Sequence, residues 1–358
     1  MNENLKRTAG LLLALFSLAA CSKAPSPTGD ITALSPGAQG KPAKDYPFVK
    51  VPLGLSDDLN VPAENPLTLD KIELGKRLYF DKRLSVDNTV SCATCHLPAS
   101  GWADPKPVSE GFHGQKGVRN APTVVNATYL KLQFWDGRAK TLEDQALGPI
   151  ANPVEMGNTH EGMVKSVSSI NDYQPLFQKA FGGPPTKERV AQAIASFERT
   201  LLSGNSKYDR FTNGDKSALN DSEARGKDLF FGKAKCVVCH NGPIFSDSAF
   251  HNLGVGMNQP KPDVGRYQET KEAKDMGAFK TPMLRDLQKS APYMHDGSEK
   301  TLEEVVEFYD KGGNPNPHLD PLMTPLNLTP DEKKDLVAFL KALEGNPYPQ
   351  VKEPEPSK

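Results

Sequence analysis

The chain contains 358 residues, of which 37% are hydrophobic and 24% are charged. This length suits two domains of ordinary size, and the apolar content excludes a disordered or collagen-like chain. Glycine and proline together supply about 17% of the residues, against roughly 12% in an average protein, which predicts long loops rather than a plain helical bundle. The formal net charge is −1, so the composition predicts no nucleic-acid binding.

The first 20 residues have the features of an export signal. Lys6 and Arg7 form a basic start, and residues 11–20 form a short apolar stretch. That stretch is too short to span a bilayer, so we interpret residues 1–20 as a signal peptide.

The signal ends in Leu-Ala-Ala-Cys at residues 18–21. This sequence resembles the bacterial lipobox, in which the cysteine after the cleavage point carries lipid; ordinary cleavage beside an incidental cysteine is the alternative. Residues 21–47 are rich in Pro, Ser, Gly, Lys and Ala, which predicts a flexible tether. We therefore expect a periplasmic protein that contacts a membrane only through lipid at Cys21.

Helical patterns follow the tether at four places. Residues 68–80 and 222–231 share the pattern Gly-Lys-x-Leu-Tyr/Phe-Phe, a weak internal repeat. Residues 187–202 have apolar side chains at helical spacing and end before Gly204, which predicts a helix and a domain boundary. A last helix is predicted over residues 331–343.

Two copies of Cys-x-x-Cys-His lie 144 residues apart. In c-type haem attachment the two thiols add to the haem vinyl groups, and the histidine ligates iron from the same side. Alternatives are a zinc knuckle, a redox dithiol or structural disulfides, but a zinc site would leave both histidines unexplained. The residues predicted to hold two covalent haems are Cys92, Cys95, His96, Cys236, Cys239 and His240.

Each motif can nucleate a cytochrome-like unit of its own. We therefore predict a mainly α fold, made of two cytochrome c-like helical domains with long loops and one covalent haem each. The predicted domains are residues 48–203 and 204–358.

Further stretches resemble the bacterial diheme cytochrome c peroxidase and MauG superfamily, over about residues 60–345. Their order and separations also match that family. They are Gly-Val-Arg-Asn-Ala-Pro-Thr from residue 117, Phe-Trp-Asp-Gly-Arg from 134, Gln-Ala-Leu-Gly-Pro-Ile from 145, Asn-Pro-Val-Glu-Met from 152 and Pro-Tyr-Met-His-Asp-Gly from 292.

The resemblance implies that hydrogen peroxide reacts at the N-terminal haem, while the C-terminal haem relays or stores electrons. Glu155 matches the family's distal glutamate, which can move a proton between the two peroxide oxygens. Gln145 and Pro149 match neighbouring pocket positions. Trp135 matches the family's tryptophan between the haems, an intermediate for electron transfer.

The resemblance also implies one calcium ion between the domains. The matching ligands are the side chain of Asn120 and the backbone carbonyls of Ser290 and Pro292. Ligation by oxygen alone suits calcium, although the set contains no carboxylate.

The sequence departs from ordinary peroxidases of the family at the second haem. Those proteins place a methionine fourteen residues after the histidine of the His-Asp-Gly motif, where this chain has Tyr309. Tyrosine is the MauG pattern, and an anionic phenolate ligand favours oxidised iron. The alternative ligands are Met294 and Met283.

The second departure concerns the distal side of the first haem. Alignment puts Phe112 at the position of a distal histidine, with His113 one residue later. His113 is either a distal iron ligand or a surface residue beside an open, five-coordinate haem, and the sequence slightly favours the open haem.

Three functions follow from these residues. The first is a peroxidase that takes electrons from a small periplasmic donor, either a cytochrome c or a cupredoxin. The second is a MauG-like oxidase that uses peroxide-derived high-valent haems to modify a partner protein. The third is a non-enzymatic diheme electron carrier, which Glu155 argues against because a carrier needs no acid in its pocket.

Overall fold

The computed structural model describes residues 40–357, so the predicted signal peptide and Cys21 lie outside the described residues. Within that range none of the helices has both the length and the apolar character needed to cross a membrane. The α-helices are α1 (Leu69–Phe80), α2 (Cys92–Cys95), α3 (Leu142–Ala151), α4 (His160–Ser168), α5 (Tyr173–Phe181), α6 (Lys187–Glu198), α7 (Lys207–Thr212), α8 (Asp221–Phe231), α9 (Tyr267–Thr270), α10 (Leu302–Asp310) and α11 (Pro330–Lys341).

Strands are few and short among the described residues. The antiparallel pair β1 (Gly40–Pro42) and β2 (Lys50–Pro52) lies at the start, and β3 (Phe250–His251) pairs antiparallel with β4 (Phe279–Lys280). Long loops connect the helices, so the prediction of a mainly α fold is confirmed.

The predicted helices form because each begins at a side chain that satisfies a free backbone amide. The side chains of Thr68, Thr186, Asn220 and Thr329 accept hydrogen bonds at the starts of α1, α6, α8 and α11. All four helices predicted from the sequence are therefore confirmed, although α6 ends at Glu198, before the predicted residue 202.

The glycine in the Gly-Lys-x-Leu repeat allows two helices to cross closely in each half. A Cβ atom on Gly75 would lie 1.8 Å from the carbonyl oxygen of Ala193 in α6. A Cβ atom on Gly226 would lie 1.8 Å from the carbonyl oxygen of Asp335 in α11. The α1–α6 and α8–α11 pairs thus have the same construction, and only glycine fits at either crossing.

A second repeat relates the two halves, with a spacing of 160 residues. Antiparallel bridges join Gln133 to Ala139 and Tyr293 to Glu299. Phe134 and Met294, which directly follow Gln133 and Tyr293, have positive φ values of 65° and 69°. Helices α3 and α10 follow these turns, and each begins after a capping threonine.

Two reciprocal hydrogen bonds join these repeats across the middle of the molecule. The Asn120 amide donates to the His295 carbonyl at 2.7 Å, and the Lys280 amide donates to the Trp135 carbonyl at 2.8 Å. Asn120 and Lys280 are equivalent positions of the 160-residue repeat, as are Trp135 and His295. This reciprocity is the pattern of an approximate two-fold axis between the halves.

Each half has a hydrophobic core beside its own Cys-x-x-Cys-His motif. The first core packs against Cys92 and also includes Tyr348 from the C-terminal segment. The second core packs against Cys236. The domain limits of 48–203 and 204–358 stay a prediction, and the chain returns to the first core after residue 340.

Candidate haem-binding cavity

One cavity of about 790 Å³ is lined by residues of both Cys-x-x-Cys-His motifs. The first half contributes α3 and the segment 116–124, and the second half contributes α10 and the segment 279–284. Because the segments 116–124 and 279–284 contain the two reciprocal hydrogen bonds, the cavity runs through the junction of the halves.

The motif histidines are held with one ring nitrogen engaged. His96 Nδ1 donates to the Pro122 carbonyl at 2.9 Å, and His240 Nδ1 donates to the Phe245 carbonyl at 3.0 Å. This bond fixes the tautomer and leaves the Nε2 lone pair for a metal. Burial lowers the pKa of both histidines, so each is a neutral imidazole suited to ligate iron.

The motif cysteines are free thiols, which excludes structural disulfides within the described residues. Burial raises the pKa of Cys95 to about 11 and that of Cys236 to about 12. In residues 40–357, neither cysteine pair joins its histidine in a cluster of metal-ligating side chains, which argues against a zinc knuckle. Paired thiols on one cavity, each pair with a neutral imidazole beside it, fit covalent haem.

Glu155, Gln145 and Pro149 line the first half of this cavity, as the resemblance implies. The Asn152 side-chain amide donates to Glu155 Oε1 at 2.8 Å and orients the carboxyl group. Burial raises the pKa of Glu155, while the charge of Arg138 and the bond from Asn152 oppose that shift. A carboxyl group with a raised pKa can both hold and release a proton.

Trp135 lies between the two halves. Its indole Nε1 donates to the Asn120 carbonyl at 2.9 Å, and its ring centroid is 6.4 Å from that of His295. His295 in turn stacks on Phe279, with 3.6 Å between the ring centroids. Trp135 therefore lies at the junction of the halves, and its role in electron transfer stays a prediction.

Tyr309, Met283 and Met294 all line the cavity. Burial raises the pKa of the Tyr309 hydroxyl. In the 160-residue repeat Tyr309 takes the position of Pro149, which lines the first half of the cavity. The choice of Tyr309 over the two methionines as iron ligand stays a prediction.

The structure places His113 outside the lining of this cavity. His113 is exposed, has a φ of 54°, and borders a separate surface depression with Asp87 and Thr89. The preceding Phe112 amide donates to the Glu155 carbonyl at 2.8 Å, which fixes the loop. His113 and Glu155 therefore do not line the same cavity.

The predicted calcium ligands all belong to residues that line the cavity. The Asn120 side-chain amide donates to the Lys106 carbonyl at 2.9 Å, which leaves Asn120 Oδ1 free. Within residues 40–357 this oxygen and the carbonyls of Ser290 and Pro292 accept no hydrogen bond, and all three residues line the cavity. Such a set of oxygens fits calcium, and the ion stays a prediction.

Sequence reasoning missed two buried ionisable residues on the cavity wall. Glu198 is 4% exposed and Lys280 is 7% exposed. Burial raises the pKa of Glu198 to about 8 and lowers that of Lys280 to about 8. The two repeats provide the signal in the sequence. The position equivalent to Glu198 in the other half is the apolar Leu340, and the position equivalent to Lys280 is the neutral Asn120.

His251 is a third residue whose surroundings the sequence did not show. Its Nδ1 donates to Asp320 at 2.6 Å, and its Nε2 lies 3.4 Å from Asp247. A hydrogen bond to Cys239, together with Asp320 and Asp247, raises the pKa of His251 to about 10. The two carboxylates favour the protonated form of His251 beside the second motif.

Two repeated halves that share one cavity, each with a Cys-x-x-Cys-His motif on its wall, fit a class of protein that holds two haems. The family of di-haem cytochrome c peroxidases matches residues 69–217. A cytochrome-c peroxidase named IdrP1 from Pseudomonas sp. strain SCT is 39% identical, covering 82% of this chain and 85% of that protein. The methylamine utilization protein MauG of Methylorubrum extorquens is also 39% identical, covering 93% and 92%.

The same family appears among solved structures. A MauG-like protein associated with microbial copper homeostasis has 35% identity and a TM-score of 0.75, covering 82% of this chain and 94% of that chain. The chain therefore belongs to the di-haem cytochrome c peroxidase and MauG family and is an oxidoreductase. Membership implies two haem c groups, in agreement with the two motifs.

Proposed function

We propose that the protein reduces hydrogen peroxide to water at its N-terminal haem. Electrons would come from a small periplasmic redox protein, a cytochrome c or a cupredoxin, and pass through the C-terminal haem. The observation that carries this proposal is Glu155, a carboxyl group with a raised pKa on the wall of a cavity that also contains His96.

Glu155 would transfer the proton during peroxide cleavage, and the side chains around it hold its carboxyl group and adjust its pKa. Each peroxide consumes two protons and two electrons to form two waters. Glu155 accepts a proton from one peroxide oxygen and returns it to the other, which makes water the leaving group. Asn152 holds the carboxyl group in place, and the positive charge of Arg138 partly offsets the rise in its pKa that burial causes. The haem, held through Cys92, Cys95 and His96, supplies the iron at which the oxygen–oxygen bond breaks.

A second candidate is the oxidation of a residue on a partner protein, in the manner of MauG. Tyr309 favours it, because a phenolate ligand suits sharing oxidising equivalents more than collecting electrons from a high-potential donor. We infer that Tyr309 ligates the C-terminal haem and that Trp135 carries electrons between the haems.

Peroxide consumption by the haem-loaded protein, with reduced cytochrome c or cupredoxin as donor, tests the peroxidase proposal. We expect Glu155→Gln to slow peroxide cleavage by about 10²–10⁴-fold, because the amide cannot exchange the proton. Glu110→Gln is the matched control, since Glu110 is an exposed carboxylate paired with Lys106 at 2.7 Å. Equal rates for wild type and Glu155→Gln would contradict the role of Glu155.

The MauG-like reaction and the peroxidase reaction differ in which molecule reduces the protein after peroxide has oxidised it. Peroxide-treated protein that returns to its resting spectrum only with a partner protein, and covalently changes that partner, favours the MauG-like reaction. Rapid return with a small reduced donor favours peroxidase activity.

We further propose a periplasmic location with a lipid anchor at Cys21. Fractionation of cells that express Cys21→Ser tests this, because loss of the lipid should move the protein from the membrane to the soluble periplasmic fraction. Unchanged membrane association would contradict the anchor.

A further inference from the structure

Lys280 is a buried cation on the wall of the haem cavity. Its side chain is 7% exposed, and no hydrogen bond, ion pair or aromatic contact of its ammonium group is present among residues 40–357. Burial alone, without a charged neighbour, lowers its pKa to about 8.

The other buried cations of the described chain have protein partners: the two arginines contact carboxylates, and Lys71 donates to Asn65 Oδ1 at 3.1 Å and to the Pro66 carbonyl at 2.9 Å. Arg285 contacts Asp209 at 2.7 Å, and Arg199 contacts Glu143 at 2.7 Å. A buried charge without a partner is costly, so proteins pair such groups or fill the site with a ligand of opposite charge. Lys280 differs from the two arginines because it lines a cavity and has no carboxylate partner among the described residues.

The backbone fixes Lys280 at the junction of the halves. Its amide donates to the Trp135 carbonyl at 2.8 Å, and its strand β4 pairs with β3 through Phe250. Two residues further on, the Pro282 carbonyl lies close to the His240 ring. The ammonium group is therefore carried by a segment that touches both Trp135 and the second motif.

The equivalent position in the other half is Asn120, a neutral residue. The Asn120 side-chain amide donates to the Lys106 carbonyl at 2.9 Å. The two-fold pattern thus breaks at this pair of positions, where only the second half has a cation.

We propose that Lys280 forms an ion pair with a propionate carboxylate of a haem at the junction of the two halves. Each haem c carries two propionates, which are the anions that a loaded cavity would contain. Lys280 is then a positioning residue that also sets the reduction potential, because a nearby positive charge stabilises the iron in its reduced state. The inference rests on the two haems of the proposed function, but not on the identity of the electron donor or oxidised partner.

Spectroelectrochemical titration of the haem-loaded protein tests the ion pair. Lys280→Met should shift the potential of at least one haem to a more negative value, whereas Lys280→Arg, which keeps the charge, should stay close to wild type. Lys274→Met removes a charge from an exposed residue whose side chain is 75% exposed, and should change neither potential. Unchanged potentials in Lys280→Met would overturn the inference.

A crystal structure of the wild-type, haem-loaded protein provides a measurement that does not depend on the folding of a variant. Lys280 Nζ within hydrogen-bond distance of a propionate oxygen supports the pair, and an ammonium group directed to protein atoms overturns it. An active peroxidase with unchanged potentials in Lys280→Met would sink this inference alone. A shifted potential in a protein inert to peroxide would instead sink the proposed function.

Discussion

The two halves of the molecule share a backbone plan but carry different side chains where they face the cavity. The same turn, capped helix and interhalf hydrogen bond recur at a spacing of 160 residues. The equivalent residues that differ include Asn120 and Lys280, Trp135 and His295, Gln145 and Val305, and Pro149 and Tyr309.

These differences show how one scaffold can hold two chemically distinct sites. The first half presents Gln145 and Pro149 to the cavity near Glu155, which leaves no strong iron ligand from α3. The second half presents Tyr309 from the equivalent helix, α10. The proposed division into a peroxide-reactive haem and an electron-relaying haem therefore depends on a few side chains rather than on a different fold.

The helix crossings carry a second difference. Five residues beyond the close contact, α6 presents Glu198 to the cavity, whereas α11 presents Leu340. Among residues 40–357, Glu198 Oε2 is buried without a hydrogen-bond partner. The first half thus holds a buried acid where the second half is apolar.

The largest expected effect is a change in the spin state of the C-terminal haem when the Tyr309 hydroxyl is removed. If Tyr309 ligates the C-terminal haem, Tyr309→Phe should convert that haem from low spin to high spin, because phenylalanine supplies no ligand. Absorption and electron paramagnetic resonance spectra of the resting ferric protein measure this change.

The rival ligands supply the controls for that measurement. Met283→Leu and Met294→Leu keep similar volume and should leave the spectrum unchanged. A high-spin signal in either methionine variant, with a wild-type spectrum for Tyr309→Phe, would assign the ligand to methionine.

Glu198 should make stability depend on pH. Burial raises its pKa from 4.5 to about 8, so the folded protein retains a proton that the unfolded chain releases in that interval. The free energy of unfolding should therefore fall as the pH rises from about 5 to 8, by roughly a few kcal/mol, and Glu198→Gln should reduce this slope. Urea unfolding at a series of pH values measures it.

Glu188→Gln is the control on the same helix, because Glu188 is exposed and its pKa lies below the ordinary value, held there chiefly by a backbone hydrogen bond. It should leave the slope between pH 5 and 8 unchanged. Identical slopes for wild type and Glu198→Gln would contradict the buried, protonated state of Glu198.

Much of the fold could be predicted because its signals are local. Capping residues such as Thr68 and Thr329 precede apolar periodicity, and the haem motifs occupy five consecutive residues each. The 160-residue repeat was also visible in principle, since Thr-Leu-Glu recurs at residues 141–143 and 301–303.

The two buried charges could not be predicted in this way. Glu198 stands beside Arg199 at the end of a helix, a pattern typical of solvated residues, and a single lysine such as Lys280 is usually exposed. Their burial depends on segments far away in the chain, such as those that carry Tyr79 and Cys92 near Glu198 and Trp135 beside Lys280. The exposed position of His113 likewise follows from the loop anchored at Phe112 rather than from residue type.

The smallest expected effect tests whether the two helix crossings are equivalent. Gly75→Ala and Gly226→Ala should each destabilise the protein by about 1–3 kcal/mol, because the added carbon would meet a carbonyl oxygen at 1.8 Å. That strain exceeds the gain of roughly 1 kcal/mol in helix propensity. Urea unfolding of the haem-loaded variants measures both changes.

Gly117→Ala is the matched control, since its added carbon would find its nearest neighbour at 3.8 Å, an ordinary contact. It should alter the free energy of unfolding by less than about 0.5 kcal/mol. Similar losses for Gly75→Ala and Gly226→Ala support a common construction of the halves. If only one of these variants lost stability, the helix pair in the other half could separate at that crossing without a cost in free energy. The two halves would then share a sequence repeat but not the same helix packing.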